Sequence, residues 1–335
     1  MATPNTNVLF SDVNATPNTL GTPNANLAEQ NRTFYDRVLL TRLLPNMLWP
    51  MFGQSRPMPT KAGSTLQYNG FDSLGAAITP LTEGVTPDGD TLTMSNITAV
   101  PKQYGKYVTI SDVVDMEAPD PVLTQAAEVL GEQAAGTYDA IVRNILCLGT
   151  NVHYTADSSA REEVDTVVAV ADLQKVIRTM HSNKIKKITS ILNASTGVGT
   201  VPVAACYVGI VGAAVLYDLA KLTGWVPVHQ YPSTTALLPG EVGAFDEIRF
   251  VMTDNPKIVS AAGAGSPAVD VHCSIILGRD AYGIVQVHGV ENVLKDYGSG
   301  DDPLNQRMTS GWKAFFTAVI LQQLAVLRFE STASA

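Results

Sequence analysis

Charged side chains are scarce in this sequence: they make up 16% of 335 residues, against about a quarter in an average soluble domain. Hydrophobic residues reach 45%, so a large core is available and much uncharged surface remains for a partner to cover. The 22 Lys and Arg are outnumbered by 31 Asp and Glu, which gives a net charge of −9. This balance excludes the basic footprint of a dedicated nucleic-acid-binding protein and of a polybasic membrane anchor.

Cysteine is also rare. Cys147, Cys206 and Cys273 are far apart and odd in number, so they indicate neither a metal site nor a disulfide framework. The first residues lack the basic and apolar regions of a signal peptide, and we expect synthesis in a reducing compartment. The charge-free stretch 188–217 is broken by proline and glycine, which favours a buried strand, turn and helix over a membrane span.

Catalytic motifs are missing as well. The sequence has no nucleophile elbow, no phosphate-binding loop and no His-Glu-x-x-His. Gly197-Val198-Gly199-Thr200 matches half of a dinucleotide-binding loop, but the third glycine and the following acidic residue are lacking. We therefore predict no catalytic, cofactor-binding or metal-binding residues and no cofactor.

Two groups of residues, the histidines and some of the carboxylates, could still form a site without matching a known motif. The five histidines are isolated, although His272 and His288 could meet across a hairpin. Several carboxylates could pair in space, but no spacing selects a pair for acid–base work. These carboxylates are Glu83, Asp112, Asp139, Asp301 and Asp302.

The N-terminal part predicts extended structure around one helix. Residues 1–28 repeat Thr-Pro-Asn three times with few apolar side chains, which is typical of an arm that orders only against neighbours. A helical period follows over 27–48, and Pro57 and Pro59 predict a stiff connector at 51–62. Residues 63–112 alternate like β-strands, with turn signals between them. They predict a long hairpin projecting from the body.

The clearest element is a helix over 121–148, which we call the spine helix. Its apolar residues recur at an average spacing of about 3.6, which predicts one buried stripe. Gly149 follows where a helix-ending glycine belongs, and we expect Cys147 to be a small buried side chain. The stripe comprises Leu123, Ala127, Leu130, Ala134, Tyr138, Ile141, Ile145 and Leu148.

The rest of the chain predicts a mixed α+β arrangement. A second helix over 171–182 would bury Leu173, Val176, Ile177 and Met180. Lys184, Lys186 and Lys187 would follow it at a solvated edge, with a nucleic-acid contact as the alternative. A short helix is expected at 213–222. The predicted strands are 203–211, 248–253, 271–277, 281–287, 293–297, 312–320 and 324–329.

Two stretches of the predicted hairpin are distinctive, and they are Leu81-Thr82-Glu83-Gly84-Val85-Thr86-Pro87 and Gln103-Tyr104-Gly105-Lys106-Tyr107-Val108. Further stretches are 34–37, 39–40, 120–123, 130–135, 149–152, 240–243, 248–251, 302–304 and 311–314. Together, these stretches resemble the major capsid proteins of tailed bacteriophages, in the branch related to the Enterobacteria phage named N-four. They occur in the family's order across residues 30–330.

The resemblance implies the α+β fold first described for the Hong Kong phage capsid. The expected parts are an N-terminal arm and helix at 1–58, an E-loop at 59–112 and a peripheral domain with the spine helix at 113–187. An axial domain at 188–297 and C-terminal strands of the peripheral domain at 298–335 complete the chain.

The resemblance also implies a function: a non-enzymatic subunit that assembles into an icosahedral shell around double-stranded DNA. Its expected partners are copies of itself in hexamers and pentamers, with scaffolding, portal and decoration proteins, and weak non-specific contact with the packaged DNA. No membrane partner is expected. The virion is the expected location, after synthesis in the host bacterial cytoplasm. An encapsulin-like compartment shell and an enzyme with an unrecognised carboxylate or histidine site are the alternatives.

Overall fold

The computed structural model describes residues 47–59, 63–86, 88–117, 122–190, 203–232, 238–296, 302 and 304–334. The predicted arm at 1–28 and nearly all of the predicted helix at 27–48 lie outside these residues. So do Gly197-Val198-Gly199-Thr200 and Asp301.

The described residues form a mixed α+β structure, as predicted. The helices are α1 (Asp112–Glu117), α2 (Val122–Leu146), α3 (Val170–Ser182) and α4 (Ala213–Leu219). The strands of the first half are β1 (Gln54–Pro57), β2 (Leu66–Phe71), β3 (Met94–Ala99), β4 (Lys102–Ser111), β5 (Val152–Tyr154), β6 (Tyr207–Gly212) and β7 (Trp225–Pro227). Those of the second half are β8 (Glu241–Phe245), β9 (Ile248–Thr253), β10 (Lys257–Val259), β11 (Val271–Leu277), β12 (Tyr282–Lys295), β13 (Arg307–Ile320) and β14 (Val326–Ser331).

Two sheets carry the body of the protein. The first has four strands in the order β1-β12-β13-β4, and only β1 runs parallel to its neighbour. The second has the order β5-β14-β11-β6-β9-β8-β7, with β10 also paired to β11. Its central strands β6 and β11 are buried almost throughout, as expected for strands covered on both faces.

The predicted hairpin is present as the pair β2 and β3, which align from Leu66 opposite Ala99 to Phe71 opposite Met94. Its base packs on the four-stranded sheet through Tyr68, Ala99 and Val285. Between these two strands, residues 72–86 and 88–93 are exposed, and we call the whole segment loop 72–93. Strand β4 leaves the hairpin and pairs with β13 instead.

The spine helix α2 packs against both sheets. In its first half, Leu130 and Ala134 contact Trp312 and Phe316 of β13. The ring of Tyr138 stacks on Phe316 with the ring centroids 4.0 Å apart. In the second half of α2, Val142 and Leu146 join a core that also contains residues of the eight-stranded sheet. The helix therefore holds the two sheets together.

The end of the spine helix differs from the prediction. The helix stops at Leu146, and the amide of Gly149 donates to the carbonyl of Leu146 at 3.1 Å. Leu148, predicted to lie on the buried stripe, is 76% exposed, because the helical period no longer governs a residue beyond the last turn. Val142 and Leu146 are buried instead, since the two sheets cover this end of the helix from more than one side.

Several other predictions differ from the structure, in the kind of element or in the bounds of a strand. The connector at 51–62 contains β1, whose pairing with β12 needs a partner that lies far along the chain. The two strands predicted at 281–287 and 293–297 are one strand, β12, with irregular register near His288. The strand predicted at 203–211 begins at Tyr207 and not at residue 203.

Other elements match the predictions closely. Helix α3 buries Leu173, Val176, Ile177 and Met180 as predicted. Strands β9 and β11 have the predicted bounds, and Gly224 after α4 adopts φ +98°, a value that favours glycine. No helix among the described residues is long and apolar enough to cross a membrane.

We predict that Leu130→Asp prevents folding. Leu130 is 4% exposed and packs on Trp312 and Ala314. Lost packing and the burial of a carboxylate together cost about 5 kcal/mol or more, which is comparable with the stability of a whole domain. Soluble yield and circular dichroism measure the effect.

The matched control is Val129→Asp, one residue away on the exposed side of the same helix. This variant should stay soluble, with a melting temperature within about 4 °C of the parent. A normally folded Leu130→Asp protein would disprove the assignment of the buried stripe.

Candidate functional site

The two histidines considered for a shared site lie apart. His272 is on β11, opposite Ser331 of the eight-stranded sheet. His288 is on β12 in the four-stranded sheet, opposite Phe315. The expectation that they could meet across a hairpin was therefore wrong, because the chain changes sheets between them. Burial lowers the pKa of His272 despite the nearby Asp270 and Asp218.

The described candidate carboxylates do not form one cluster: Asp112 and Asp302 both adjoin Gln306, whose carbonyl accepts from the amide of Asp112 at 3.0 Å, whereas Glu83 and Asp139 lie in other elements. Glu83 lies in loop 72–93, Asp112 accepts a hydrogen bond from the amide of Val113 at 2.8 Å, and Asp302 accepts one from the amide of Gln306 at 2.8 Å. Asp139 is buried in the spine helix. Within the described part of the chain, no three histidine, cysteine or acidic side chains are grouped so as to hold a metal ion.

Asp139 instead holds the first described residues of the chain, at Trp49, against the spine helix. One carboxylate oxygen accepts from the amide of Trp49 at 3.1 Å, and the other accepts from the side-chain amide of Asn255 at 3.4 Å. The hydroxyl of Tyr282 donates to the carbonyl of Trp49. Burial raises the pKa of Asp139, and the hydrogen bonds from Trp49 and Asn255 offset part of this effect. The carboxylate has a structural role here.

A second buried carboxylate joins distant parts of the chain. Glu330 of β14 is fully buried and accepts two hydrogen bonds from Arg161, at 2.7 and 2.6 Å. Arg328 forms a further ion pair with it at 2.8 Å. The sequence carries no signal for the pairing of Glu330 with Arg161, since the two residues are far apart along the chain. Burial of the carboxylate is possible because two guanidinium groups compensate for the lost water.

A groove of about 520 Å³ is lined by residues of β12, β13 and β4 in the four-stranded sheet. Its floor contains Gly105 and Gly311, and a side chain on Gly311 would lie within 2.7 Å of Tyr107. The small floor residues therefore create the depression. Four cations and two carboxylates surround it, and they are Lys106, Lys295, Arg307, Lys313, Asp296 and Asp302.

Apolar side chains are unusually accessible at the groove and in loop 72–93. Tyr107 beside the groove is 69% exposed. In the loop, Ile78 is 87% exposed and Leu81 is 77% exposed, and Leu74, Val85 and Leu92 are exposed as well. Residues 72–93 contain four carboxylates and no lysine or arginine. A single chain thus presents an apolar acidic loop and a groove with a cationic rim, and no described residue of the loop lines the groove.

Neither a scan against family models nor a search of curated proteins finds a match for this sequence. Solved structures do match. The capsid of Ralstonia phage GP4 is 11% identical with a TM-score of 0.66, covering 96% of this chain and 98% of that one. The capsid of cyanophage Pam1 is 14% identical with a TM-score of 0.65, covering 91% and 97%. The capsid of cyanophage P-SCSP1u is 13% identical with a TM-score of 0.62, covering 96% and 100%.

This chain has the fold of phage capsid subunits. The similarity extends over nearly the full length of both compared chains, so it covers the sheets, the spine helix and the hairpin together. The predicted α+β capsid fold is confirmed.

Burial makes the three cysteines poor nucleophiles. It raises the pKa of the Cys147 and Cys206 thiols to about 11 and that of Cys273 to about 12. At pH 8 about one Cys147 thiol in a thousand is ionised, and the thiolate is the reactive form. The expectation that Cys147 is a small buried side chain is confirmed, since only 8% of it is exposed.

We predict that an aromatic disulfide reagent at pH 8 labels the native protein at least about 100-fold more slowly than the protein in urea, because unfolding restores ordinary thiol pKa values. The absorbance of the released thiolate measures the rate. The control is a Val129→Cys variant, whose added thiol is exposed and should react rapidly in the native state. Fast labelling of the parent chain would contradict the assigned burial.

Proposed function

We propose that this chain is the major capsid protein of a tailed bacteriophage, which assembles into an icosahedral shell around double-stranded DNA. The observation that carries the proposal is the near full-length structural similarity to phage capsids. These relatives favour a virion shell over an encapsulin-like compartment and over an enzyme. The proposal assigns no catalytic residue and no cofactor.

We infer that the groove receives loop 72–93 of another copy. The loop has four carboxylates and exposed aliphatic side chains. The groove has the exposed ring of Tyr107 and four cations, of which Arg307 and Lys313 are paired with Asp302 and Glu291. Opposite charges on the two surfaces select the partner and its orientation. Aliphatic side chains that leave water supply about 25 cal/mol per Å² of buried apolar area.

Repetition explains why such modest contacts suffice. Ordering a loop of this length and immobilising a subunit consume much of the energy of each contact. A closed shell repeats the same contact at every subunit interface, and each subunit is held by several neighbours at once. A small change in the free energy of one contact is therefore multiplied across the particle.

The finer features follow from the resemblance and belong to the same proposal. They are membership of the N-four-like branch, hexamers and pentamers as capsomers, scaffolding, portal and decoration partners, and synthesis in the host cytoplasm. The domain boundaries at 58, 112, 187 and 297 also stay a prediction. On either side of the last boundary, β12 lies in the four-stranded sheet and β14 lies in the eight-stranded sheet, so each sheet combines segments from more than one proposed part.

Electron microscopy of the purified, concentrated full-length protein tests the proposed function. We expect closed shells of uniform diameter that enclose DNA when they are isolated from virions. A stable monomer under assembly conditions, or shells filled with an enzyme cargo, would refute the proposal.

A charge exchange tests the proposed docking of the loop. Lys106→Glu with Lys295→Glu places two anions at the groove rim, where they would repel the acidic loop. We expect the yield of shells, measured by sedimentation, to fall at least about tenfold, because like charges would weaken the contact at every interface. Adding Asp88→Lys and Asp90→Lys in the loop should restore assembly.

The matched control is Lys184→Glu with Lys221→Glu, which changes the net charge equally on exposed residues outside the groove. We expect normal shells from this variant. If the control loses assembly as strongly, or if the loop exchange rescues nothing, the groove is not the docking site.

A further inference from the structure

One long stretch of this acidic chain carries positive charge alone. Residues 173–217 contain Lys175, Arg178, Lys184, Lys186 and Lys187, with no aspartate or glutamate. The protein as a whole has a net charge of −9. A local excess of this kind indicates a surface that attracts a polyanion.

The structure shows which of these cations are already paired. Lys175 forms an ion pair with Asp157, and Lys187 forms one with Glu247 at 2.8 Å. Glu247 also contacts His181. The other three cations, Arg178, Lys184 and Lys186, are exposed and form no ion pair with any residue in the described ranges.

Tertiary packing brings a fourth cation to the same place. The amide of Arg279 donates to the carbonyl of Lys186 at 2.9 Å. A side chain on Gly278 would collide with Ile185 at 2.1 Å, so the two segments lie in direct contact. Arg279 has 66% of its side chain exposed, and its ion pair with the adjacent Asp280 is long at 3.8 Å. We call Arg178, Lys184, Lys186 and Arg279 the basic strip.

The residues beside the strip are polar. Gln174, His181 and Ser182 lie on the exposed side of α3 with Arg178. A protein partner would be expected to bury aromatic or aliphatic anchors at such a surface, whereas a nucleic-acid backbone needs only cations that reach its phosphates. Duplex DNA presents one negative charge for about every 1.7 Å of its axis, so several flexible cations can bind it without a fixed register.

We propose that the basic strip binds the phosphate backbone of double-stranded DNA without sequence preference. The choice of DNA among polyanions rests on the proposed function, since the shell would enclose DNA. The contact is weak, because the net negative charge of the subunit opposes the approach of DNA at a distance. The strip would therefore line the inner surface of the shell while leaving DNA free to depart.

Binding of a fluorescent 30-base-pair duplex to the full-length subunit, before assembly, tests the proposal. The variant Lys184→Gln with Lys186→Gln and Arg279→Gln should lower the affinity at least about tenfold at low salt. The slope of log affinity against log salt should become shallower by about 0.9 for each phosphate that the variant no longer neutralises. A scrambled duplex should bind as well as the first one.

The control variant Lys102→Gln with Lys221→Gln and Lys257→Gln removes the same charge elsewhere, and its affinity should stay within about twofold of the parent. Equal decreases in affinity in both variants, no binding by the parent, or better competition by polyglutamate than by unlabelled duplex would overturn the proposal. Sedimentation of shells reports separately on the proposed function. The strip variant should assemble normally, whereas a parent chain that binds DNA and never assembles would contradict the capsid proposal alone.

Discussion

The contact between the spine helix and two sheets is the constraint on which the rest of the structure depends. Leu130 and Ala134 fasten the first half of α2 to β13. Val142 and Leu146 fasten the second half to a core shared with β6 and β11. Because the buried side chains of one rigid helix serve both sheets, the sheets cannot move independently without exposing that core. The base of the hairpin packs on one of these sheets, and the backbone at Trp49 is hydrogen-bonded to the spine helix. Both are therefore held in fixed positions relative to the helix and the sheets.

Loop 72–93 and the spine helix place their apolar residues differently. Apolar side chains of the spine helix such as Leu130 and Ala134 are buried inside one chain, although Leu148 is exposed. Those of the loop, such as Ile78 and Leu81, stay in water in the single chain, which is costly unless another molecule covers them. Under the proposed function, a low content of charge also suits surfaces buried between copies, which cannot carry many unpaired ions. The remaining charges are partly separated: loop 72–93 carries carboxylates and no cation, whereas the groove carries four cations together with Asp296 and Asp302.

Sequence patterns correctly predicted the elements whose hydrophobic periodicity is regular along their whole length. Helix α3 and strands β9 and β11 have strong local patterns, and the structure has them where they were expected. Short strands such as β5 and β7 were missed, since three residues carry no usable period. Strand β12 was predicted as two strands because its irregular register near His288 interrupts the alternation on which the prediction relied.

The amino-acid sequence by itself determined the α+β class, the amphipathic spine, the projecting hairpin and the absence of recognisable catalytic motifs, because each depends on residues close together along the chain. Only the tertiary structure decided that Glu330 would meet Arg161 and that Arg279 would lie beside Lys186. It also formed the groove, whose floor combines Gly105 with Gly311. These arrangements join residues that are many positions apart, and strand pairing and core packing determine them together; no local pattern contains that information.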